Sequence, residues 1–298
     1  MASGVLADVL ARRAVVLDGG LSTALTDAGH DLSDPLWSAR LLLTDPDALV
    51  AAHLAYFRAG AEVAITASYQ ATVEGFARRG LGADETARLW RDSVALARRA
   101  ASEVDGPRWV AASVGPYGAM LADGSEYRGR YGVGGRALEA FHRPRIEVLA
   151  EAGADVVAVE TIPDVEEAEA VLRVVAGSGV PMWLSYSTRG TRTCAGQPLV
   201  EAFEVVRGVP EVVAVGVNCG DPADVDEAVA IAAGTGKPVV VYPNSGQTWD
   251  ATARSWTGTP AFTPARVAGW VEGGARLVGG CCQVGPDAIA ELAAELSR

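Results

Sequence analysis

The sequence predicts an α/β protein with the fold of a (β/α)8 barrel, or TIM barrel, in which residues 1–298 form a single domain. Three observations support this: short β-branched runs recur eight times, stretches with helical spacing lie between most of these runs, and no Pro- or Ser-rich linker marks a domain boundary. Near-continuous apolar runs that alternate with helices indicate parallel strands buried on both faces. Eight such units in 298 residues match the barrel, and a doubly wound open sheet is the alternative.

Each apolar run ends in small or polar residues, as strands do where they meet a turn. The predicted strands are residues 14–20, 63–69, 109–116, 156–162, 182–188, 212–219, 239–246 and 277–282. The predicted helices are residues 84–104, 137–152, 164–176, 221–233, 264–273 and 286–297. The longest insertion, residues 117–135, follows the third strand and is rich in Gly, Tyr and charged residues. A loop of this length is usually functional or mobile.

The composition argues against several classes of function. A formal net charge of −12 disfavours nucleic acid, whose phosphates require a basic face, and anionic membrane surfaces. No apolar run approaches the roughly 18 residues of a membrane span, and residues 1–13 lack the pattern of a signal peptide. Four cysteines do not form a disulfide scaffold in a chain of this length, and reduced thiols suit the cytoplasm. We therefore expect a cytoplasmic protein with small-molecule partners, no nucleic acid and no membrane.

Active sites of such barrels lie at the C-terminal ends of the strands. The small and polar residues that end the predicted strands are therefore the candidates for a site. They are Asp18, Gly19, Gly20, Ser68, Tyr69, Glu160, Thr161, Asn218, Cys219, Asn244, Ser245, Cys281 and Cys282.

Three of these candidates are cysteines, and their placement suggests a metal site. Cys281 and Cys282 follow Gly279 and Gly280 at the end of the eighth run, and Cys219 ends the sixth. A disulfide between adjacent residues is strained, whereas thiolates are good ligands for zinc. Our hypothesis is a zinc site with one open position, which would make it catalytic. The alternative is that these cysteines pack as small apolar side chains, because the sequence does not establish that the sixth and eighth strand ends approach each other.

Four segments, taken in order, resemble the homocysteine S-methyltransferases. They are Asp-Gly-Gly at 18–20, Glu-Thr-Ile-Pro at 160–163, Val-Asn-Cys at 217–219 and Gly-Gly-Cys-Cys at 279–282. Residues 36–39, 68–71, 113–118, 121–127 and 242–246 are similar to the branch that uses S-methylmethionine. The resemblance covers nearly the whole chain and implies a zinc-bearing (β/α)8 barrel that methylates the thiol of homocysteine to give methionine.

The resemblance also implies roles for individual residues. Cys219, Cys281 and Cys282 would bind one Zn²⁺, and Asp18 and Glu160 would hold the ammonium group of homocysteine. A zinc-bound thiol is deprotonated, so the family needs no catalytic side chain beyond the zinc-activated thiolate of the substrate. This thiolate attacks the methyl group of a sulfonium cation, a step that depends on alignment and electrostatics.

The remaining substrate contacts follow from the residue types. The substrate carboxylate needs backbone N–H groups, which Gly19, Gly20 and the turn at Ser68 are placed to supply. Asn218 and Asn244 would orient the substrates or the metal shell. The structural alternative for all of these residues, as for Asp18 and Glu160, is ordinary turn and cap chemistry.

Several points stay open at this level. Some family members carry a tyrosine after the strand-four glutamate where this chain has Thr161, so the fourth zinc ligand in the absence of substrate is undetermined. The aromatic side chains of Trp37, Tyr69, Tyr117 and Tyr127 are candidates to line a donor pocket by cation–π contact. Cys194 is expected to be a spectator.

The alternatives for the reaction also differ in class. S-adenosylmethionine is another donor with the same chemistry, and betaine or another thiol acceptor would require a different pocket. A zinc-dependent hydrolase on the same barrel would use the open metal position for water, although thiolate ligands weaken zinc as a Lewis acid. A zinc-storing protein without turnover is the remaining alternative.

Overall fold

Eight parallel strands form one sheet that closes on itself. The computed structural model describes residues 6–250 and 255–297. Residues 1–5, 251–254 and 298 lie outside the described residues. The prediction that the N-terminal segment lacks a signal peptide therefore falls partly outside them. The strands are β1 (Val15–Val16), β2 (Val63–Ile65), β3 (Trp109–Val114), β4 (Val156–Ile162), β5 (Met182–Tyr186), β6 (Val212–Asn218), β7 (Val239–Tyr242) and β8 (Ala275–Val278).

The order of the strands shows how the sheet closes. Hydrogen-bonded neighbours run β1, β8, β7, β6, β5, β4, β3 and β2, and a parallel bridge from Leu17 to Val63 joins β1 to β2. The predicted barrel is therefore confirmed, and the open sheet is wrong.

Helices lie between the strands and cover the outside of the barrel. The α-helices are Leu6–Leu10, Leu21–Asp27, Leu41–Thr44, Pro46–Arg58, Val73–Ala77, Ala83–Ala101, Tyr117–Leu121, Gly135–Glu151, Val165–Val175, Leu199–Glu204, Val225–Ala233, Pro264–Glu272 and Pro286–Leu296. Short 3-10 helices span Trp37–Arg40, Ser125–Tyr127 and Pro222–Asp224. Two small hairpins pair Thr188–Arg189 with Arg192–Thr193 and Thr248–Asp250 with Ser255–Thr257. Over the described residues, no helix combines the length and apolarity that crossing a membrane would require.

The six helices whose bounds were predicted are present, with small shifts at their ends. The helix Pro46–Arg58 contains His53, which was expected on a helical stretch, but its bounds were not predicted. Its start carries a recognisable cap: the Asp45 side chain accepts a hydrogen bond from the Ala48 N–H at 3.2 Å, and Pro46 occupies the first turn. Such a cap satisfies a backbone donor that the first helical turn leaves free. The Asp-Pro pair was therefore a usable signal in the sequence.

The apolar core has two layers, one inside the barrel and one between the strands and the helices. Trp109 and Trp183 fill the barrel interior, and Leu6 and Leu10 of the first helix pack against the same cluster. The second cluster includes side chains such as Phe57 from the surrounding helices. Because the interior is filled with side chains, substrate access is confined to the mouth of the barrel.

The last strand approaches the first so closely that its end requires glycine. A Cβ atom at Gly279 would lie 2.6 Å from both the Asp18 carbonyl oxygen and the Leu17 Cβ atom. The Gly279 N–H also donates to the Val241 carbonyl at 3.0 Å. The strand end that leads to Cys281 is thus clamped between β1 and β7.

We expect Gly279→Ala to lower the free energy of unfolding by about 1–3 kcal/mol, because the new methyl group meets backbone atoms that cannot move aside freely. Gly269→Ala is the matched control. A Cβ atom at Gly269 meets nothing within 4 Å, and alanine favours the helix in which it lies. Chemical denaturation measures both variants, and equal stability of Gly279→Ala and the parent protein would contradict the close approach.

Candidate metal and substrate site

Three cysteine side chains converge at the C-terminal mouth of the barrel. The sulfur atoms of Cys219, Cys281 and Cys282 all lie within 4.8 Å of one another. Cys219 directly follows β6, and the other two lie just beyond β8. The structure thus brings together the three residues that the sequence placed at the ends of two different strands. Thiolates are the donors that zinc takes in proteins, so this set suits a soft metal.

Two of these sulfur atoms are in direct contact. They belong to Cys219 and Cys281, whose Cα atoms are 5.6 Å apart. Binding of one ion by all three residues requires each sulfur as a reduced thiolate. Burial raises the pKa of the Cys282 thiol to about 11, so this thiol is protonated at neutral pH in the absence of a bound cation.

The end of β7 joins the two cysteine segments. The Asn244 side chain donates to the Cys219 carbonyl oxygen at 3.1 Å and accepts from the Cys282 N–H at 3.1 Å. The Cys219 N–H donates to the Tyr242 carbonyl at 3.2 Å, and the Cys281 N–H donates to the Pro243 carbonyl at 2.7 Å. The seventh strand therefore acts as a spacer that fixes the distance between the other two.

The glycines before the cysteines and after β1 are explained by close packing. A Cβ atom at Gly280 would overlap the Val284 side chain, and one at Gly20 would lie 2.6 Å from the Cys281 carbonyl oxygen. The Gly20 N–H already donates to the Val284 carbonyl at 3.0 Å. The prediction of a free N–H for a substrate carboxylate is therefore wrong for Gly20, because the turn after β8 uses that donor. Gly19 packs on the same turn.

Two buried carboxyl groups lie at the strand ends, as predicted. Asp18 is 1% exposed; its Oδ2 accepts from the Ile65 N–H at 2.8 Å, and its buried Oδ1 has no partner among the described residues. Burial raises the pKa of Asp18 well above its ordinary value, and the charge of Glu160 adds to the effect. Burial also raises the pKa of Glu160 to about 7, against hydrogen bonds from Ser113 and Tyr242 that lower it. Both carboxylates would gain from a cation placed between them.

The side chains of Asn218 and Ser68 form hydrogen bonds with other residues of the protein. The Asn218 Oδ1 accepts from the Thr161 N–H at 2.7 Å and from the Ser185 hydroxyl at 2.8 Å, and its Nδ2 donates to the Thr161 hydroxyl at 2.8 Å. Thr161 has φ of +60°, which is strained for a β-branched residue, so Asn218 holds the turn after Glu160. The fully buried Ser68 hydroxyl donates to the Ser113 carbonyl at 2.7 Å.

Sequence reasoning missed the polar layer beneath the acids. The Tyr242 hydroxyl lies 3.0 Å from the Trp183 Nε1 and 2.8 Å from the Ser185 hydroxyl, and Ser113 donates to Glu160. Ser113 and Tyr242 fall in segments that resembled the family, yet no feature of the sequence showed that they meet Glu160 inside the barrel.

Residues 117–135 are tied to the barrel rather than free. Glu167, which is 1% exposed, accepts from the Tyr117 N–H at 2.6 Å and from the Tyr131 hydroxyl at 3.1 Å, and its Oε1 lies 2.8 Å from His142 Nε2.

Two of the aromatic candidates for a donor pocket are in contact: the Trp37 and Tyr69 rings stack with centroids 6.4 Å apart. Cys194 lies apart from the three-cysteine cluster.

Comparison with known proteins agrees with this geometry. The family model described as homocysteine S-methyltransferase matches residues 15–296. The chain is 44% identical to a homocysteine S-methyltransferase of Escherichia coli strain K12, covering 94% of each chain. It is 42% identical to the homocysteine S-methyltransferase YbgG of Bacillus subtilis strain 168, covering 94% of this chain and 93% of the relative. The crystal structure of the E. coli homocysteine methyltransferase MmuM in its metallated form superposes with a TM-score of 0.88 at 41% identity, covering 98% and 99% of the two chains.

We expect Asn244→Ala to weaken zinc binding by the reduced protein about 10- to 100-fold, because it removes the side chain that fixes two ligand segments. Gln247→Ala is the control, since the bonds described for that side chain join it to the Ser245 hydroxyl and the Gly258 carbonyl and not to a cysteine segment. Competition with a chromophoric chelator gives both affinities. Unchanged affinity in Asn244→Ala would show that the cysteine segments hold their positions without it.

Proposed function

The chain belongs to the homocysteine S-methyltransferase family, and we propose that it transfers a methyl group from S-methylmethionine to the thiol of homocysteine, giving methionine. The convergence of Cys219, Cys281 and Cys282 beside two buried acids carries this proposal. S-adenosylmethionine is the other donor with the same methylsulfonium chemistry. We further propose a single barrel domain over residues 1–298 that works in the cytoplasm on small molecules.

The three cysteines would hold one Zn²⁺ as reduced thiolates. When bound, zinc supplies the positive charge that keeps a coordinated thiol deprotonated and nucleophilic at neutral pH. The role of the chain is to keep the three sulfurs at one point, which Asn244 supports through its contacts with the Cys219 and Cys282 backbones.

The buried acids would orient homocysteine. Asp18 Oδ1 is a buried acceptor without a partner among the described residues, and Glu160 lies close enough to raise the pKa of Asp18. An ammonium group between them would supply hydrogen bonds and relieve their repulsion. Backbone N–H groups at Gly19 and at the Ser68 turn are the proposed contacts for the substrate carboxylate. Asn218 would act indirectly, through the turn at Thr161.

The transfer itself needs no proton movement by a side chain. The homocysteine sulfur attacks the methyl carbon in line, the bond from that carbon to the donor sulfur breaks, and the electron pair returns to the donor sulfur. A sulfonium thereby becomes a neutral thioether, and S-methylmethionine and homocysteine yield two methionines. The contribution of the protein is alignment and a negative environment for the incoming cation.

A donor assay with reduced, zinc-loaded protein tests the proposal. Methionine should form from homocysteine and S-methylmethionine, and the rate with S-adenosylmethionine decides between the two donors. Absence of methionine with either sulfonium would refute methyl transfer of this type.

We expect Cys282→Ser to lose zinc and to lower methyl transfer by about a hundredfold or more, since removing even an outer contact of a metal site costs 10- to 100-fold. Cys194→Ser should keep both, because Cys194 lies outside the cluster. Metal analysis, circular dichroism and the donor assay provide the measurements. A folded Cys282→Ser protein with normal turnover would remove this residue from the site.

We expect the affinity for methionine, the thioether product, to rise about tenfold between pH 6 and pH 8. Glu160 has a pKa of about 7, is ionised above it, and binds an ammonium group only as the carboxylate. Methionine is the ligand of choice because it has no thiol to titrate. Glu160→Gln should flatten the profile, whereas Glu147→Gln, at an exposed acid, should not. If the affinity of Glu160→Gln for methionine rose with pH as it does in the parent protein, the titrating group would be one other than Glu160.

A further inference from the structure

Glu126 is a buried acid for which the proposed function has so far no use. It lies on the 3-10 helix Ser125–Tyr127 within residues 117–135 and is 4% exposed. Its Oε2 is buried and has no hydrogen-bond partner among the residues that the structure describes. The charged neighbours Asp123 and Arg128 point into solvent, with side chains 53% and 67% exposed. An unsatisfied buried carboxylate oxygen is costly and rare, which suggests that a ligand supplies the missing donor.

The position of Glu126 is fixed against the mouth of the barrel. Its carbonyl oxygen accepts from the Ser187 hydroxyl at 3.4 Å, directly after β5. On the other side, a Cβ atom at Gly118 would lie 2.5 Å from the Glu126 backbone nitrogen. The backbone of Glu126 is therefore held between the end of β5 and the helix Tyr117–Leu121.

Two tyrosines connect Glu126 to the site. The charge of Glu126 adds to burial in raising the pKa of both Tyr69 and Tyr127. The Tyr69 hydroxyl bonds to Thr161, beside Glu160. Tyr127 lies close enough to Cys282 for a thiolate there to raise its pKa. Through these two tyrosines, Glu126 lies near Glu160 and Cys282, on the side of residues 117–135.

We propose that Glu126 receives the α-ammonium group of the methyl donor and thereby selects amino-acid sulfonium compounds. The inference rests on the proposed function, in which Asp18 and Glu160 already serve the ammonium group of homocysteine. S-methylmethionine brings a second ammonium group into the same mouth. An ammonium group has three N–H donors and can satisfy Oε2, whereas a sulfonium has none.

A matched pair of ligands isolates this contact. S-methylmethionine is the donor, and its desamino analogue, 4-dimethylsulfoniobutanoate, keeps the sulfonium and the carboxylate but lacks the ammonium group. The inhibition constant of the analogue against S-methylmethionine measures its binding whether or not it is turned over. Glu126→Gln removes the charge, and Asp123→Asn is the control, because it removes an exposed charge from the same turn.

In Glu126→Gln we expect kcat/KM for S-methylmethionine to fall about 10- to 100-fold, mainly through KM, as for the loss of a charge-assisted hydrogen bond. The inhibition constant of the analogue, the KM for homocysteine and the zinc content should stay within about twofold of the parent, and Asp123→Asn should change none of them. Conservative Glu126→Asp should recover part of the loss.

Three results would overturn the assignment. An equal loss for S-methylmethionine and the analogue would mean that Glu126 supports the turn or contacts the sulfonium. A rise confined to the KM for homocysteine would assign Glu126 to the acceptor, and an unchanged kcat/KM would leave it without a role. Failure of the parent protein to use any sulfonium donor is a separate result, which refutes the proposed function and this inference with it.

Discussion

The structure of the site depends on one constraint: the ends of β6 and β8 must be held at a fixed distance across β7. Backbone pairing sets the approximate spacing, and Asn244 completes it by bonding to the carbonyl of Cys219 and the N–H of Cys282. Glycines at 279 and 280 allow the end of β8 to approach β1 and the following turn. Without this spacing, the Cys219 thiol would be separated from those of Cys281 and Cys282.

A second feature of the site is a set of three buried acids at the barrel mouth. Asp18, Glu160 and Glu126 are all buried, and burial raises the pKa of each. Such groups destabilise the folded protein when ionised. The proposed reaction brings a metal cation, two ammonium groups and a sulfonium into this space, so the same charges that oppose folding would favour binding. Loss of the sulfonium charge on transfer would then assist product release.

The sequence was sufficient for much of the fold and for the identity of the cysteine cluster. Eight apolar runs indicated the barrel strands, and their polar ends indicated the rim, because both follow from local pattern and a general rule of the fold. Contacts that depend on exact side-chain placement could not be predicted from the sequence. The bonds from Asn244 to both cysteine segments, the polar layer at Tyr242 and the anchoring of residues 117–135 by Glu167 join residues far apart in the chain. The hydrogen bond from the Gly20 N–H to the turn after β8 could not be predicted either, because it also joins residues far apart in the chain.

The central claim is that three thiolates of this chain hold an ion that takes the substrate sulfur as a further ligand. X-ray absorption at the zinc edge of the reduced, zinc-loaded protein tests this most directly. We expect about three sulfur neighbours at the roughly 2.3 Å typical of zinc–thiolate bonds, with one more when homocysteine is added. Mainly nitrogen or oxygen neighbours, or a sulfur count that does not change with homocysteine, would contradict the account.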